Sequence, residues 1–488
     1  MISLTKRRIR VFFAALLVLS VVSVGYGFAS SRSDSTFESY LHGNNVDRNA
    51  QIAPKADGIT VIATDSNSWR GGDNEGPRAR AELVALNPNG TARYYNDTHT
   101  RYWDVDPVKG TKTTVEYSYA DHHSANECPS ADEWNASKYG VNQKMWDRYY
   151  KTHGKVGACT YDGVERVNLT TGKVTKIWGQ LTPGKEATRY HDVDRIDENH
   201  IVVADIYLDG VFVVNTKTDR IEWRWNASDT FNHSNTGGPY PKDWSHINDV
   251  EVLDDGRIMV SVRNLDRVVF LSPKTHKVVG QQTLGEEDNY DTLYEQHNPD
   301  YINTSNGGPA AVVADSENNR LVEYQRTNND WKQTWVWQDG RMQWPRDADR
   351  LPNGHTLVSD SNGNRVFELD KNGNIVWKLN IAFPYEAERL GTGDESANGP
   401  SAQSAHIASR SGNLGDQFWI GVKRLIPGKY LNGLMYITPV WMGVPEVFAT
   451  VFGALFALIW GGFEAGWYIR RRRSTTGKSS SDEPVNQD

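Results

Sequence analysis

Runs of small and branched apolar residues alternate with polar turns through the middle of the chain, and this pattern predicts β-strands. One unit passes through residues 201–204 (IVVA), 211–214 (VFVV) and 221–224 (IEWR), with turns rich in Asn, Asp and Gly between them. Turns of this composition join neighbouring antiparallel strands. No segment with helical periodicity interrupts the units, so we expect an all-β fold.

A longer repeat is superimposed on these strands. In each copy a polar or aromatic residue precedes an acidic strand start, a turn and a second strand. The copies begin at Trp103, His191, Asn248, His297 and Arg346. Apart from one longer interval they start about 50–60 residues apart, as the blades of a propeller do. A further strand pair at residues 58–65 and 81–87 raises the number of units to six. We therefore predict a six-bladed β-propeller, although five or seven blades also fit the pattern.

The repeats divide the chain into segments. We assign residues 57–380 to the propeller, with residues 121–160 as an insertion in the second blade. The other segments are an N-terminal transmembrane segment or signal peptide (1–29), a linker (30–56), a loop-rich connection (381–433), a C-terminal transmembrane segment (434–469) and a disordered cytoplasmic tail (470–488).

Two long apolar runs lie near the chain ends, at residues 11–29 and 447–467. Each has about 20 residues, enough for a helix that crosses a bilayer. Basic residues flank the outer end of each run, so the positive-inside rule places both termini in the cytoplasm and the propeller outside it, at the cell membrane. Small residues at the end of the first run also fit a cleaved signal peptide; either way the propeller is exported.

Other features of the sequence agree with export. Cys128 and Cys159 are the only cysteines, and outside the cytoplasm we expect them to form a disulfide that holds the insertion. Seven Asn-x-Ser/Thr sequons between the apolar runs are candidate glycosylation sites. They lie at Asn89, Asn96, Asn135, Asn168, Asn226, Asn232 and Asn303.

The charge of the chain limits its partners. A net charge of −8 is mild for 488 residues, and no basic tract occurs in the exported part. This argues against nucleic acid as a partner. Small molecules and the membrane itself remain as expected partners.

Candidate chemistry lies where the repeats differ from one another. The acidic residues recur in most units, so we expect them to tie neighbouring blades together. The residues just before them change from unit to unit, and in a propeller these strand starts meet at one mouth of the central channel. Arg263 is a further variable position, because Ser316 and Ser361 take its place in two other blades.

We predict one cluster of polar and aromatic side chains at this mouth. His246 joins it because it lies two residues before Asn248. The candidate catalytic residues are His191, His246, His297 and Arg263, and the candidate substrate-binding residues are Asn248, Arg346 and Trp103.

Histidine and arginine together fit the transfer of an oxyanionic group. Neutral imidazole is a nucleophile and proton carrier near neutral pH, and arginine forms forked hydrogen bonds to sulfate or phosphate oxygens. Three histidines could also bind a metal ion, but Arg263 would repel the cation. We therefore expect no metal and no cofactor.

At these residues the chain resembles the arylsulfotransferase family, exported propeller enzymes that transfer sulfuryl groups between phenols without a nucleotide sulfate donor. The resemblance implies a sulfohistidine intermediate on His297. His191, His246, Asn248 and Arg263 would hold the sulfuryl oxygens and assist proton transfer. The most specific motif is D-W-x-H-x-N, followed by an arginine and then by Q-H. The matching segments are residues 190–192, 243–248, 262–263, 296–297 and 346–358.

A second function also fits the sequence. The propeller could bind glycans or proteins at the cell surface without catalysis, with the histidines as packing or ligand contacts. The distance between the histidines distinguishes the catalytic function from the binding function, because catalytic groups must all reach one substrate. The leading expectation is a membrane-tethered sulfotransferase that takes an aryl sulfate as donor and a phenol, or another hydroxyl such as that of a glycan, as acceptor.

Overall fold

The computed structural model describes residues 6–33, 36–42, 45–65, 80–154, 157–185, 189–272, 274–275 and 277–476. It forms two units. One comprises Met1–Asp34 together with Trp441–Asp488, and the other is Ser35–Val440. The expected disordered tail lies mostly outside the described residues, since residues 477–488 are not among them.

The larger unit is built mainly of antiparallel strands. In chain order they are β1 (Leu41–His42), β2 (Asn45–Val46), β3 (Ile59–Thr64), β4 (Leu83–Leu86), β5 (Ala92–Asn96), β6 (Arg101–Pro107), β7 (Thr114–His123), β8 (Cys159–Asn168), β9 (Lys173–Pro183), β10 (Tyr190–Arg195), β11 (His200–Asp205), β12 (Gly210–Asn215), β13 (Arg220–Asn226), β14 (Ile247–Val252), β15 (Ile258–Val262), β16 (Arg267–Ser272), β17 (Lys277–Val278), β18 (Leu284–Gly285), β19 (His297–Ile302), β20 (Ala310–Asp315), β21 (Arg320–Thr327), β22 (Asp330–Trp337), β23 (Pro345–Arg350), β24 (Thr356–Asp360), β25 (Arg365–Leu369), β26 (Ile375–Leu379) and β27 (Pro384–Leu390).

β3 to β27 form six sheets arranged as the blades of a propeller, and β1 and β2 pair as a separate two-stranded sheet. Blade I has the order β27-β3-β4-β5, blade II β6 to β9, blade III β10 to β13, blade IV β14 to β18, blade V β19 to β22 and blade VI β23 to β26. The first-named strand of each blade is the innermost, and it contacts the innermost strands of both neighbouring blades in a closed ring. The predicted six-bladed propeller is confirmed.

The ring closes through strand β27, which lies beyond residue 380, the expected end of the propeller. Residues 384–390 pair with β3 at the start of the chain, with Glu386 opposite Ala63. Closure in this way joins the two ends of the propeller within one blade. The alternation Y-E-A-E-R-L was missed because its partner strand lies about 300 residues earlier, so it has no second strand beside it in sequence.

The recurring acidic residues connect neighbouring blades, as expected. The backbone N–H of Val250 donates to Asp192, and the N–H of Tyr301 donates to Glu251 on the adjacent innermost strand. At the ring closure the N–H of Val105 donates to Glu386. Each innermost strand faces the channel on one side, so its backbone N–H groups need partners other than a sheet neighbour. Carboxylates from the next blade supply them.

Apolar side chains fill the space between adjacent blades. Trp223, Trp225 and Trp244 are buried between blades III and IV. Trp335 and Trp337, which alternate along β22, are buried between blades V and VI.

The insertion in blade II is held as the cysteine count predicts, because Cys128 and Cys159 form a disulfide. It contains helix α2 (Gln143–His153), whereas no helix was expected within the repeats. Asn142 caps this helix by accepting a hydrogen bond from the N–H of Met145, and one face of it packs against Tyr207 of blade III. At 11 residues the helix is too short for its periodicity to stand out in the sequence.

The segment after β27 is more ordered than the expected loop-rich connection. It contains helices α3 (Ala402–Ala405), α4 (Leu414–Lys423) and α5 (Gly428–Tyr436). Side chains of Ser401 and Asn413 cap the first two.

The smaller unit holds two apolar helices, α1 (Lys6–Ser33) and α6 (Val444–Thr476). Lys6–Ala29 and Val444–Arg473 are long and apolar enough to span a membrane. The two helices are antiparallel, since Arg10 pairs with Glu464 and the rings of Phe28 and Trp441 are 5.2 Å apart. The outer ends of the two helices therefore lie on the same side of this unit.

Candidate active site

The innermost strands of all six blades shift register at the same level. In blades III and VI, for example, the shift falls between Tyr190 and Val193 and between Pro345 and Asp347. Such bulges re-aim side chains, and they are frequent beside active sites. The variable residues predicted from the repeats lie at or next to these shifts, and blade I contributes a sixth. The six are Trp103, His191, Asn248, His297, Arg346 and Tyr385.

Tyr385 lies at the centre of the cluster and was missed in the sequence. Its hydroxyl is 3.2 Å from Nδ1 of His191. Its ring is 6.2 Å from the ring of His297 and 4.5 Å from the guanidinium carbon of Arg346. The signal was present, because Y-E-A-E at residues 385–388 matches W-D-V-D from Trp103 and R-D-A-D from Arg346.

The histidines are close together, as predicted. The ring centroids of His191 and His246 are 5.4 Å apart, and Tyr385 contacts both His191 and His297. Trp103 stacks on His191 with ring centroids 4.1 Å apart. These distances lie within the reach of one small substrate.

His297 is 1% exposed, and its tautomer is set by a hydrogen-bond relay. Nδ1 of His297 lies 2.8 Å from the hydroxyl of Ser316. That hydroxyl donates to the backbone carbonyl of Pro345 at 2.7 Å. A hydroxyl has one proton to donate, so it accepts from Nδ1–H of His297. The Nε2 atom of His297 therefore carries the lone pair.

His246 is held by a carboxylate instead. Its Nδ1 lies 2.6 Å from Asp243, three residues earlier in the D-W-S-H motif. Its backbone is in the left-handed region, with φ of 46°. A non-glycine residue keeps this conformation only where its surroundings hold it there. The pair with Asp243 fixes the orientation of the ring.

Several arginines provide the positive charge of the site: Arg101 and Arg189 lie 5.6 and 5.7 Å from the Trp103 ring, and Arg263 and Arg346 lie among the predicted residues. Arg263 pairs with Glu295 at 2.5 Å, and Lys429 of α5 binds the other oxygen of the same carboxylate.

Arg346 lies among aromatic rings, with its guanidinium carbon 4.2 Å from the Trp344 ring. Nε and Nη1 of Arg346 are buried and have no hydrogen-bond partner among the described residues; Nη1 lies 3.8 Å from a carboxylate oxygen of Asp65, as a longer ion pair. Donors that are buried and unused are costly, and an oxyanion would use them.

Asn248 lies at the same level and is held by the neighbouring blade. Its amide N–H₂ donates to the backbone carbonyl of Gln296 at 3.1 Å. It therefore braces the residue that precedes His297, while its Oδ1 is buried without a partner among the described residues.

Burial and neighbouring charges keep the histidines neutral. Burial lowers the pKa of His297 well below its ordinary value, and the cations Arg346 and Arg263 lower it further. Burial also lowers the pKa of His191, and His246 and Arg189 lower it further. For His246 burial lowers the pKa, and Asp243 opposes this only in part. Neutral imidazoles retain the lone pair that a nucleophile or base needs.

Helix α5 lies beside the site. The ring of Tyr436 is 5.2 Å from that of Phe383 and 6.3 Å from that of Trp344. Asn432 donates to Glu317 at 2.8 Å. These contacts were not predicted, because α5 covers the end of the expected loop-rich connection and the start of the expected transmembrane segment.

Comparison with known proteins places the chain in a family. A sequence model described as "Arylsulfotransferase (ASST)" matches residues 87–382, more than half of the chain. None of the curated proteins matches the chain in sequence.

Solved structures show only distant similarity. A periplasmic gluconolactonase from Pseudomonas aeruginosa is 9% identical, with a TM-score of 0.42, over 69% of this chain and 99% of that one. A protein of unknown function from Bacteroides caccae is 10% identical, with a TM-score of 0.41, over 69% of this chain and 100% of that one. Similarity this low carries no argument about chemistry. The family match, by contrast, spans blades II to VI and the candidate residues from Trp103 to Arg346. The chain belongs to the arylsulfotransferase family.

Proposed function

We propose that the propeller transfers a sulfuryl group from an aryl sulfate to a phenolic hydroxyl through a sulfohistidine on His297. The observation that carries this proposal is the relay from His297 through Ser316 to Pro345. It leaves a lone pair on Nε2 of a buried, neutral imidazole on which the charge of Arg346 acts, and two N–H groups of this arginine lack a hydrogen bond among the described residues. A nucleophile beside preorganised donors is what transfer of an oxyanionic group requires.

The reaction has two steps. In the first, Nε2 of His297 attacks the sulfur of the donor, an N–S bond forms, and the bond between the sulfur and the aryl oxygen breaks. The leaving phenolate takes up a proton. In the second, the oxygen of the acceptor phenol attacks the same sulfur, the N–S bond breaks, and the acceptor gives up its proton. No net proton is gained or lost.

We assign the remaining roles from charge and geometry. Arg346 and Arg263 hold the sulfuryl oxygens, because guanidinium N–H groups match them in shape and charge. His246 carries the proton, because its pair with Asp243 supports a positive charge on the ring. Trp103 and Tyr385 hold the ring of His191 and line the space for an aromatic substrate.

Transfer between small phenols tests this assignment. The full chain in detergent is incubated with p-nitrophenyl sulfate and phenol, and release of nitrophenol and formation of phenyl sulfate are followed. His297→Ala should lower the rate by roughly 10³-fold or more, and Arg263→Ala by roughly 10²–10³-fold. His200→Gln, on the rim of blade III, is the matched control and should keep wild-type activity. A folded wild-type protein without transfer across pH and salt would favour the non-catalytic binding function.

We also propose that α1 and α6 both cross the cell membrane, with the propeller outside and both termini in the cytoplasm. The antiparallel arrangement of the helices and the basic residues at their outer ends support this. The sequons agree, because none of the seven asparagines is buried. In intact cells, added protease should cleave the propeller and leave a C-terminal tag on residue 488 intact. Cleavage of the tag alone would show the opposite orientation, with the propeller in the cytoplasm and the termini outside.

A further inference from the structure

A second group of side chains lies away from the histidines, deeper along the innermost strands. Asp300, Asp347, Asp349 and Glu395 each offer one carboxylate oxygen, and these four oxygens lie within 4.8 Å of one another. The three aspartates are no more than 1% exposed, and Glu395 is half-buried. Carboxylates this close repel one another strongly unless a positive charge or protons lie between them.

The hydrogen bonds of the group are incomplete. Both carboxylate oxygens of Asp349 are buried and accept no hydrogen bond from an N–H or hydroxyl group of the described residues; the carboxyl of Asp349 lies within hydrogen-bond reach of that of Asp347. Asp300 and Asp347 each use one oxygen, which accepts from the hydroxyl of Ser396 and from the N–H of Ala387 respectively. Their other oxygens are buried without a partner. The protein therefore orients these carboxylates but leaves part of each unsatisfied.

Two buried cations lie near the group and are engaged elsewhere. Arg389, whose charge reaches Asp349, donates to Glu368 at 2.8 Å. Arg350 donates to Glu323 at 2.9 Å and to the hydroxyl of Thr356 at 2.9 Å. Its guanidinium also lies over the Trp335 ring, with the central carbon 4.7 Å from the ring centroid. It does not supply the hydrogen bonds that the carboxylate group lacks.

We propose that this carboxylate group binds one divalent cation of the calcium class. Carboxylate oxygens without nitrogen or sulfur ligands favour hard cations. Two oxygens on opposite sides of Ca²⁺ lie about 4.6–5.2 Å apart, whereas Mg²⁺ needs about 4.1 Å and keeps several waters. The four oxygens lie within 4.8 Å of one another, so one ion can contact all of them, and four protein ligands suit Ca²⁺ better than Mg²⁺, which keeps several waters.

Such an ion would connect the strands that carry the candidate active site. Asp300 lies on β19 with His297, and Asp347 and Asp349 lie on β23 with Arg346. Glu395 follows β27, which carries Tyr385. The cation therefore acts as a structural tie between blades V, VI and I, and takes no part in the chemistry at the histidines.

Binding of Ca²⁺ to the full chain in detergent tests the proposal. After treatment with a chelator and its removal, calorimetric titration should show one Ca²⁺ per chain, with Mg²⁺ binding at least tenfold more weakly. Asp349→Asn should lower the Ca²⁺ affinity at least tenfold. Asp330→Asn, an exposed position on β22, is the control and should leave the affinity unchanged. Neither measurement uses sulfuryl transfer, so the result is independent of the proposed function.

Thermal unfolding gives the second readout. Ca²⁺ should raise the melting temperature of the wild type and not that of Asp349→Asn. Glu395→Gln, a milder change at the half-buried position, serves if Asp349→Asn does not fold. If the wild type binds no Ca²⁺ at millimolar concentration and Asp349→Asn melts at a higher temperature than the wild type, the carboxylates share protons and the proposal is wrong.

Discussion

At the scale of single residues, the candidate site depends on which nitrogen of His297 carries the proton. Ser316 decides this, because its hydroxyl donates to Pro345 and can only accept from Nδ1 of the imidazole. Ser361 occupies the same position in blade VI and makes the corresponding bond to the carbonyl of Pro384, with no histidine attached. The same blade-to-blade contact thus has an extra role in blade V.

Ser316→Ala should lower kcat of sulfuryl transfer by roughly 10–100-fold, because partners that orient a reacting imidazole have effects of this size. KM for the donor should change little, since Ser316 does not line the substrate space in the proposed mechanism. Steady-state kinetics at several donor concentrations separate the two parameters. Ser361→Ala is the control for the lost blade contact, and Ser316→Thr should restore most of the rate. Equal losses of kcat in Ser316→Ala and Ser361→Ala would show that Ser316 acts only through the contact between blades.

At the scale of elements, the features that depend on the local sequence pattern were predicted. Alternation and turn chemistry identified the strands, and the repeat identified the blades. The residues at the channel mouth could then be predicted, because equivalent positions in a ring of repeats lie close together. Contacts between distant segments were missed: Tyr385 lies on a strand whose partner is at the start of the chain. The role of Ser316 is visible only once β19 and β20 are in register.

The disulfide of the insertion gives a prediction at the same scale. Cys128 and Cys159 are 31 residues apart in sequence, so the bond restricts a loop whose closure is worth about 3–4 kcal/mol in the chain-entropy estimate. The double variant Cys128→Ser, Cys159→Ser should loosen the insertion first, because α2 depends on this tie and on its packing against Tyr207. Limited proteolysis should cut within residues 121–160 in the variant and in reduced wild type. If cleavage is equally slow in both, the aromatic packing alone holds the insertion.

At the scale of the whole molecule, the channel carboxylates govern how stability depends on pH. Burial raises the pKa of Asp192 and of Asp347 to about 7, and that of Asp194 to about 6. An unfolded chain has aspartate pKa values of about 3.9. Between these values the folded protein binds more protons than the unfolded chain, so its stability falls as the pH rises. The buried histidines act in the opposite direction below about pH 6.5, because their pKa values are lowered, but the channel carboxylates outnumber them.

The melting temperature in the presence of a chelator should therefore rise by several degrees as the buffer is taken from about pH 8 to about pH 5. Saturating Ca²⁺ should remove the part of this difference that comes from Asp347 and the other ligands, because a bound cation neutralises at high pH the charge that protons neutralise at low pH; the part from Asp192 and Asp194 should remain. Near-ultraviolet circular dichroism of the full chain in detergent, at constant ionic strength, measures both curves. A melting temperature that falls steadily from about pH 8 to about pH 5 with chelator present would show that groups other than the channel carboxylates dominate. The same curve with and without Ca²⁺ would mean that pH acts on carboxylates the ion does not reach.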